Sequence, residues 1–436
     1  MKKFDIKGKK VLIMGLGLLG GGVGAARYFA KKDAKVTVTD LKTKEQLASS
    51  IKKLADLSIR YVLGEHRAKD FQNTDLIIRN PDVLPDSPYL QLARQCGIPI
   101  EMVESFFVKQ CKGKIIGVTG TRGKTTTSFL IAKLIKDAGL PTVLAGNVAG
   151  VSTLDFLDKV TPKTYVVLEL SSFQLHGFGE SKVSPHIAVV TNISPEHLNH
   201  YKTLADYIND KKNIFRFQKK GDFLILNKAN PYSKKFAKET KAQVLFFSQS
   251  EVPIDWQLKL PGEHNRENIA AAMAVGQILK IGLSTIKKSL TAFKSLPYHL
   301  EVIRKARGVT FINDGISTSP EATIAALSSV DKKVLLILGG NDKLLDFVKL
   351  GKLVDKKAKE VFLMKGTALS KLKKSIPQKL IKGEFENLSN TVHAAYRFAK
   401  DGDIILFSPA ATSFNWFENV YHRSGEFEKI VKGLSK

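Results

Sequence analysis

Cysteine is almost missing. Cys96 and Cys111 are the two in 436 residues, too far apart for a Cys-x-x-Cys pair and too few for a disulfide framework, so a reducing, cytoplasmic compartment is expected. Acidic residues are short as well: 41 Asp and Glu stand against 68 Lys and Arg, a net charge of +27. That balance admits nucleic acid as a partner. The lysines, however, are scattered over many helical segments rather than gathered into a stripe with interleaved aromatics. Solvated lysine faces and affinity for anionic small molecules fit better, and no nucleic-acid partner is expected. No uncharged stretch reaches the roughly 20 residues that a membrane-spanning helix needs, so no span is expected. The N-terminus imitates a signal peptide, basic to Lys10 and uncharged from Val11 to Ala26, but Asp5 interrupts the first part and glycines break the second. Internal repeats and low-complexity tracts are absent.

What is present is organised around Lys114 to Gly139. Ile115, Ile116, Gly117 and Val118 read as a short buried strand, and Gly120-Thr121-Arg122-Gly123-Lys124-Thr125 as a loop. Leu130, Ile131, Leu134, Ile135 and Ala138 then recur at helical spacing, with Gly139 and Pro141 as stop signals. Strand, glycine loop, Lys-Thr and helix is the layout of a phosphate-binding loop, whose amides and helix N-terminus attract phosphate oxygens. Lys124 is placed for the β- and γ-phosphates and the Thr125 hydroxyl for Mg²⁺. The strict pattern is one glycine short, since Val118 stands at its first position and Gly120 replaces it. The plainer alternative is a glycine turn that starts a helix. Against it stand Thr125, Thr126 and Thr127, poor helix formers for which the sequence offers no packing reason.

A second glycine motif opens the chain. Lys9 to Met14 is a strand pattern, followed by Gly15-Leu16-Gly17-Leu18-Leu19-Gly20, a small-residue helix, and a strand from Val36 ending at Asp40. This is G-x-G-x-x-G in strand–turn–helix context, with an acidic residue placed for a ribose or another polar group. Alone, the motif reports a diphosphate-bearing nucleotide. A nicotinamide-dependent oxidoreductase stays open at this point, and so does a nucleic-acid-binding NTPase on the strength of the charge.

Further along, Val143 to Ala145 is a strand leading to Gly146-Asn147-Val148, and Tyr165 to Leu170 is another that carries Glu169 among apolar neighbours. A buried carboxylate needs a partner; Mg²⁺ is one, a hydroxyl of Ser171 or Ser172 the other. Ser194, with Pro195 after it, reads as the cap of a helix. His197 and His200 have no further Cys or His nearby, which rejects zinc. Gly262 to Asn268 starts an apolar helix and offers two amide side chains, Asn265 and Asn268, to a ligand. Near Leu296-Pro297 a third domain begins, with glycines and hydroxyls at successive strand ends, including Asn313-Asp314-Gly315 and Ser408 to Phe414. Open α/β sheets bind ligands at such ends.

Together these stretches resemble the Mur ligases, ATP-dependent amide-forming enzymes of peptidoglycan synthesis. The matching segments are GLGLLG at 15–20, GTRGKTTT at 120–127, GNV at 146–148, LELSSFQL at 168–175, NISPEHLNHY at 192–201 and YINDKKNIF at 207–215. GEHNRENIAAA at 262–272, LPYHLE at 296–301, GGNDKLLDF at 339–347 and SPAATSF at 408–414 complete the set. Their joint order over the whole chain is what makes the resemblance specific.

The resemblance implies an α/β chain of three domains: a Rossmann-like 1–107 for a UDP-linked substrate, a P-loop-type ATPase at 108–296 with a mainly parallel sheet, and a Rossmann-like 297–436 for the amino acid. It implies ATP and Mg²⁺ as cofactors, an acyl-phosphate intermediate, a monomer, and UDP-N-acetylmuramoyl-L-alanine and D-glutamate as substrates; a Mur-type ligase for another amino acid is the alternative. For the UDP substrate it implies Gly15, Leu16, Gly17, Leu18, Asp40 and Asn147. For ATP it implies the loop residues Gly120, Thr121, Arg122, Gly123, Lys124, Thr125, Thr126 and Thr127, with Asn265, Asn268 and Asp314. Thr125, Glu169, His197 and Lys211 are its implied metal ligands, Lys211 as a carbamate; Lys124, His197 and Lys211 are the catalytic set. The amino acid falls to Thr412, Ser413 and Phe414, whose hydroxyls and following amides are expected to open a helix, with Arg423 too distant along it. Three departures all lie in or beside the third domain: Tyr298-His299 for His-Arg, Ile316 for a lysine, and Val420 for an aromatic, with one extra residue before Gly425.

Overall fold

The computed structural model describes residues 4–18, 20–148, 150–196, 201–260, 262–413 and 416–435. They build three open sheets, each wrapped by helices. The first sheet contains β1 (Lys10–Met14), β2 (Lys35–Asp40), β3 (Ile59–Leu63), β4 (Leu76–Arg79) and β5 (Ile100–Glu101). All are parallel, in the order β3-β2-β1-β4-β5. Val11, Leu12, Ile13 and Met14 of the central strand are all buried. A parallel strand covered on both faces has no solvent side, so its sequence runs apolar instead of alternating.

The second sheet holds β6 (Lys114–Thr119), β7 (Thr142–Gly146), β8 (Tyr165–Glu169), β9 (Ile187–Val190), β10 (Phe223–Asn227) and β11 (Gln243–Phe247). Its order is β11-β10-β9-β6-β8-β7, again parallel. Strand β6 therefore has β9 on one side and β8 on the other, while the next strand in the chain lies beyond β8. Where successive connections diverge in this way, a crevice opens at the carboxyl ends of the strands. The first two sheets and the helices around them make one compact unit.

The third sheet belongs to a second unit. It has β12 (Glu301–Ala306), β13 (Val309–Asn313), β14 (Val334–Gly339), β15 (Ala358–Met364), β16 (Ile381–Phe385) and β17 (Ile404–Phe407), in the order β12-β13-β17-β14-β15-β16. The β12–β13 hairpin is antiparallel and the rest parallel. Three sheet-centred α/β domains are thus present, as expected.

Two expected helix starts are corrected. Residues 192–196 are irregular, because Ser194 is tied to the loop after β6: its amide donates to Thr121 Oγ1 (2.9 Å), and its carbonyl accepts from that hydroxyl (3.1 Å). In the third domain the last helix is Val420–Gly433, not a helix from Phe414 onward. Its cap is Asn419, whose Oδ1 accepts from the amides of Tyr421 (3.0 Å) and His422 (2.9 Å), satisfying donors that the helix start leaves unpaired.

Candidate active site

The loop after β6 is shaped by two glycines. Gly120 has φ +151° and Gly123 φ +77°; a Cβ on the first would stand 1.9 Å from Thr191 Oγ1, and on the second 2.3 Å from Asn268 Oδ1. Neither position tolerates a side chain. Gly123 caps the helix Lys124–Asp137, so the loop amides and the helix N-terminus face the same end of the sheet. The rest of the loop is pinned from outside. Arg122 donates its amide to Asn192 Oδ1 (2.9 Å) and its guanidinium to Glu196 (2.7 Å), while the Thr121 hydroxyl meets the Tyr207 hydroxyl at 2.9 Å.

The helix threonines do have a structural use, contrary to the sequence reading. Thr127 is fully buried and donates to Asn268 Oδ1 at 3.2 Å. Asn268 thus joins the loop's own scaffold. Thr126 is buried as well.

Three charged side chains converge at this end of β6. Lys124 Nζ folds back to donate to the carbonyls of Gly120 (2.9 Å) and Thr121 (3.0 Å). Glu169, at the end of β8 and 2% exposed, is paired in register with Val118 on one side and Gly146 on the other. Its Oε1 accepts from Asn147 Nδ2 at 3.1 Å, whereas Oε2 is buried with no partner. Ser171 does not serve it: that hydroxyl accepts from the Gln174 amide in a capping box. Burial raises the Glu169 pKa, against the pull of Lys124, Asn147, Thr125 and Lys211. Asn147, expected at the UDP substrate, is here Glu169's holder.

Lys211 is the third. It stands on the helix Leu204–Lys212, 2% exposed, and donates to Thr119 Oγ1 (3.2 Å) and the Gly120 carbonyl (3.0 Å). Burial, reinforced by Lys124, holds its pKa well below the ordinary lysine value. Its neighbour Lys212 pairs instead with Glu239 at 2.7 Å. The structure therefore separates the two lysines that sequence alone presents as a solvated pair. Thr119 and Tyr207, whose ring centroid lies 4.8 Å from Lys211 Nζ, complete its surroundings; no local motif singled them out. His197 lies outside the described residues.

The first-domain glycine loop is organised differently from expectation. Asp40 Oδ2 accepts from the amides of Leu16 (2.9 Å) and Gly17 (3.2 Å), and Oδ1 from Lys42 (2.9 Å). Its carboxylate holds the turn through these amides. Leu16 is buried, whereas Leu18 is 44% exposed.

In the second unit, Thr412, Ser413 and Arg423 line a cavity of about 170 Å³ together with Gly340, Asn341 and Lys365. Ser413 Oγ is buried without a partner; Thr412 donates to the Asn341 carbonyl at 3.1 Å. Phe414 lies outside the described residues. Arg423 is corrected from distant to adjacent: the helix starts later than expected, so Arg423 falls in its first turn. It is 1% exposed and donates to the carbonyls of Ala411 and Gly315, each at 2.8 Å. Burial lowers its pKa to about 9. Asp314 accepts from the hydroxyls of Ser317 and Ser408, and burial raises it to about 7. Asn265 is buried in the first turn of the helix Glu263–Ile278, its amide donating to the Gly262 carbonyl at 2.9 Å.

A glycine phosphate loop and a buried carboxylate oxygen without a partner, at a sheet switch point, are the layout of a nucleotide-binding enzyme. Residues 118–257 match the Mur ligase middle domain, residues 9–102 the Mur ligase MurD-like N-terminal domain, and residues 300–411 the Mur ligase glutamate ligase domain. The chain belongs to the Mur ligase family and is an ATP-dependent, amide-bond-forming ligase.

Within that family its full-length relatives include UDP-N-acetylmuramoylalanine–D-glutamate ligases. That of Roseiflexus sp. is 39% identical, over 99% of this chain and 100% of the relative. Those of Borreliella burgdorferi and Acetivibrio thermocellus are 36% and 34% identical, over 99% of this chain and 99% and 98% of theirs. Among solved structures, the UDP-N-acetylmuramate–alanine ligase MurC of Thermotoga maritima aligns with TM-score 0.64 at 19% identity, over 97% of this chain and 99% of that one. MurF ligase of the same organism, in complex with ADP, gives 0.62 at 18%, over 99% of both. At such identity these two establish the fold. Among the described residues no helix is long and apolar enough to cross a membrane.

Proposed function

We propose that the chain joins D-glutamate to UDP-N-acetylmuramoyl-L-alanine at the expense of ATP, with 1–107 holding the UDP substrate, 108–296 the ATP and 297–436 the amino acid. The observation that carries the reading is the convergence of Lys124, Lys211 and the orphaned Glu169 oxygen at the end of β6. Relatives of the same length that bear this activity's name support the choice of substrates. The reaction fits a cytoplasmic setting, where both cysteines stay reduced.

In this reading the substrate's terminal carboxylate attacks the γ-phosphorus of ATP, giving an acyl phosphate and ADP. The D-glutamate amine then attacks the acyl carbon, and phosphate leaves as the amide forms. Lys124 would leave its loop carbonyls for the phosphate oxygens and stabilise the charge that spreads over them during transfer. A buried carboxylate oxygen with no donor is the kind of ligand a hard divalent cation takes. Glu169 with Thr125 would hold Mg²⁺, joined by His197 and by Lys211 as a carbamate. The ion supplies charge neutralisation on the phosphate oxygens. Lys211 suits its part because burial and the nearby Lys124 disfavour its ammonium form: Nζ bonds to the carbon of CO₂ and releases one proton, turning a repelling cation into an anionic ligand. Asp40 would act by fixing the glycine loop around the UDP substrate.

Thermal-shift titration tests the first domain. UDP-N-acetylmuramoyl-L-alanine is expected to raise Tm, by about the amount that 100-fold saturation confers on any native-state ligand, and NAD(H) is not. Stabilisation by NAD(H) alone would overturn the assignment of the G-x-G-x-x-G loop.

Amino-acid choice is assigned to the third-domain cavity. Ser413 lines it and its buried hydroxyl has no partner, and a buried donor left without a partner discriminates strongly between ligands. Ser413→Ala is expected to raise the D-glutamate KM about tenfold, a loss typical of one hydrogen bond to a charged group, with the ATP KM unmoved. An equal rise in both constants would remove Ser413 from the amino-acid site.

A further inference from the structure

Arg79 is a buried cation that the reaction above does not use. It ends β4, is 1% exposed, and donates to Glu180 Oε2 at 2.9 Å. Glu180 belongs to the second domain, in the last turn of the helix Ser172–Ser181. Its other oxygen accepts from Arg94 of the helix Pro88–Gln95, also at 2.9 Å. Two guanidinium groups of the first domain thus take both oxygens of one carboxylate, in charge-assisted bonds of the stronger kind. A second bond runs beside them, from the Ser181 hydroxyl to Glu101 Oε2 at the end of β5.

The same arginines hold the turn that follows β4. Arg79 donates to the Val83 carbonyl (3.0 Å) and Arg94 to the Pro85 carbonyl (2.9 Å). That turn lies against the first-domain glycine loop: the Asn80 amide donates to the Met14 carbonyl (2.8 Å), and a Cβ on Gly15 would stand 2.8 Å from Asn80 Cβ. On the other side of Glu180, its helix carries the reacting end of the second domain. The cap, Ser171, lies two residues after Glu169. The flank holds the helix Leu204–Lys212 and the turn after it: His176 Nδ1 meets Asp210 Oδ1 at 3.0 Å, and the Leu175 carbonyl accepts from Asn213 Nδ2 at 3.0 Å. Asp210 immediately precedes Lys211. One helix therefore links the glycine loop of the first domain to Glu169 and Lys211 in the second.

We infer that Glu180 is a positioning residue that sets the first domain against the second, so that a carboxylate held by one reaches the γ-phosphate held by the other. The inference rests on the proposed placing of the UDP substrate on the first domain and ATP on the second. In-line attack needs the reacting atoms in near contact, and a misplacement of about 1 Å costs on the order of 10²-fold in rate. Each nucleotide site is complete within its own domain, so loosening the link between them is expected to spare binding and reduce turnover.

The test is a split of kcat from KM in the full chain, with kcat expressed per ADP-binding site so that unfolded protein does not count. Glu180→Gln replaces one acceptor oxygen by an NH₂ group and removes the charge that both arginines share. It is expected to lower kcat about 10–100-fold, with the KM values for ATP and for UDP-N-acetylmuramoyl-L-alanine unmoved. Arg94→Met removes the more exposed arm, leaves Arg79 paired, and is expected to show a smaller loss with the same split. It carries the test should Glu180→Gln not fold. Unchanged kcat in folded Glu180→Gln, or in Arg94→Met if the former does not fold, would overturn the inference. A raised KM for one substrate with kcat unchanged would overturn it too, because that pattern belongs to a contact with the substrate itself. The wild type runs alongside. If it joins D-glutamate and the variant matches it, the positioning role fails and the proposed reaction stands. If the wild type does not turn these substrates over, the proposed reaction fails and takes this inference with it.

Discussion

Lys124→Ala should reduce turnover by at least about 10²–10³-fold, the loss seen when one preorganised electrostatic donor is removed from a transition state. The fold should survive. Among the described residues Lys124 bonds to the carbonyls of its own loop, at 2.9 and 3.0 Å, and Lys211 also donates to the Gly120 carbonyl. The glycine conformations of Gly120 and Gly123, and the clamp of Arg122 on Asn192 and Glu196, hold the loop without it. Circular dichroism and Tm should stay close to wild type while phosphate release disappears. Near-normal turnover in a folded Lys124→Ala protein would sink the phosphate-loop assignment, and the chemistry built on it.

Lys211→Ala is expected to be of similar severity, for a different reason. A bare ammonium beside a bound divalent cation repels it, and the buried site already disfavours that charged form. Carbamylation would reverse the sign, so truncation would remove an anionic ligand and not merely a lysine. Two consequences separate this from a packing defect. Acetate or formate in the buffer should partly restore turnover in Lys211→Ala by entering the space left behind. Lys212→Ala should retain near-wild-type activity, because Lys212 is committed to Glu239 on the protein surface and exposed pairs of that kind contribute about 1 kcal/mol or less. Full activity in Lys211→Ala would refute the carbamate, as would loss confined to Lys212→Ala.

The parts of this site that could be read from sequence are those written in contiguous residues. Strand, glycine loop and helix at 114–139 carry their own periodicity and turn chemistry, and the observed β6 and helix Lys124–Asp137 agree closely with them. Glu169 was legible too, because a carboxylate in an apolar strand announces an unpaid desolvation cost. Its partner was not. Asn147 meets Glu169 through the pairing of β7 with β8, set by strand order and register rather than by any local pattern. The same holds for Thr127, whose burial depends on Asn268 arriving from a helix 141 positions away.

Asp40 is legible only in part. Its distance from the glycines fits a ribose contact, but the motif cannot say that the carboxylate turns back onto the Leu16 and Gly17 amides. Arg423 lies nearer the cavity than a helix starting at Phe414 would place it. Asn419 caps the helix at Val420, which brings Arg423 to the cavity in its first turn.

The most direct test of the whole account is a competition assay of products. The protein is given ATP, UDP-N-acetylmuramoyl-L-alanine and an equimolar panel of D- and L-amino acids, and both phosphate release and the new amide are followed. The account predicts one phosphate for each amide formed, with D-glutamate as the amino acid joined fastest. Preferential joining of a basic or neutral amino acid would contradict the substrate assignment, and amide formation without phosphate release would contradict the acyl-phosphate chemistry itself.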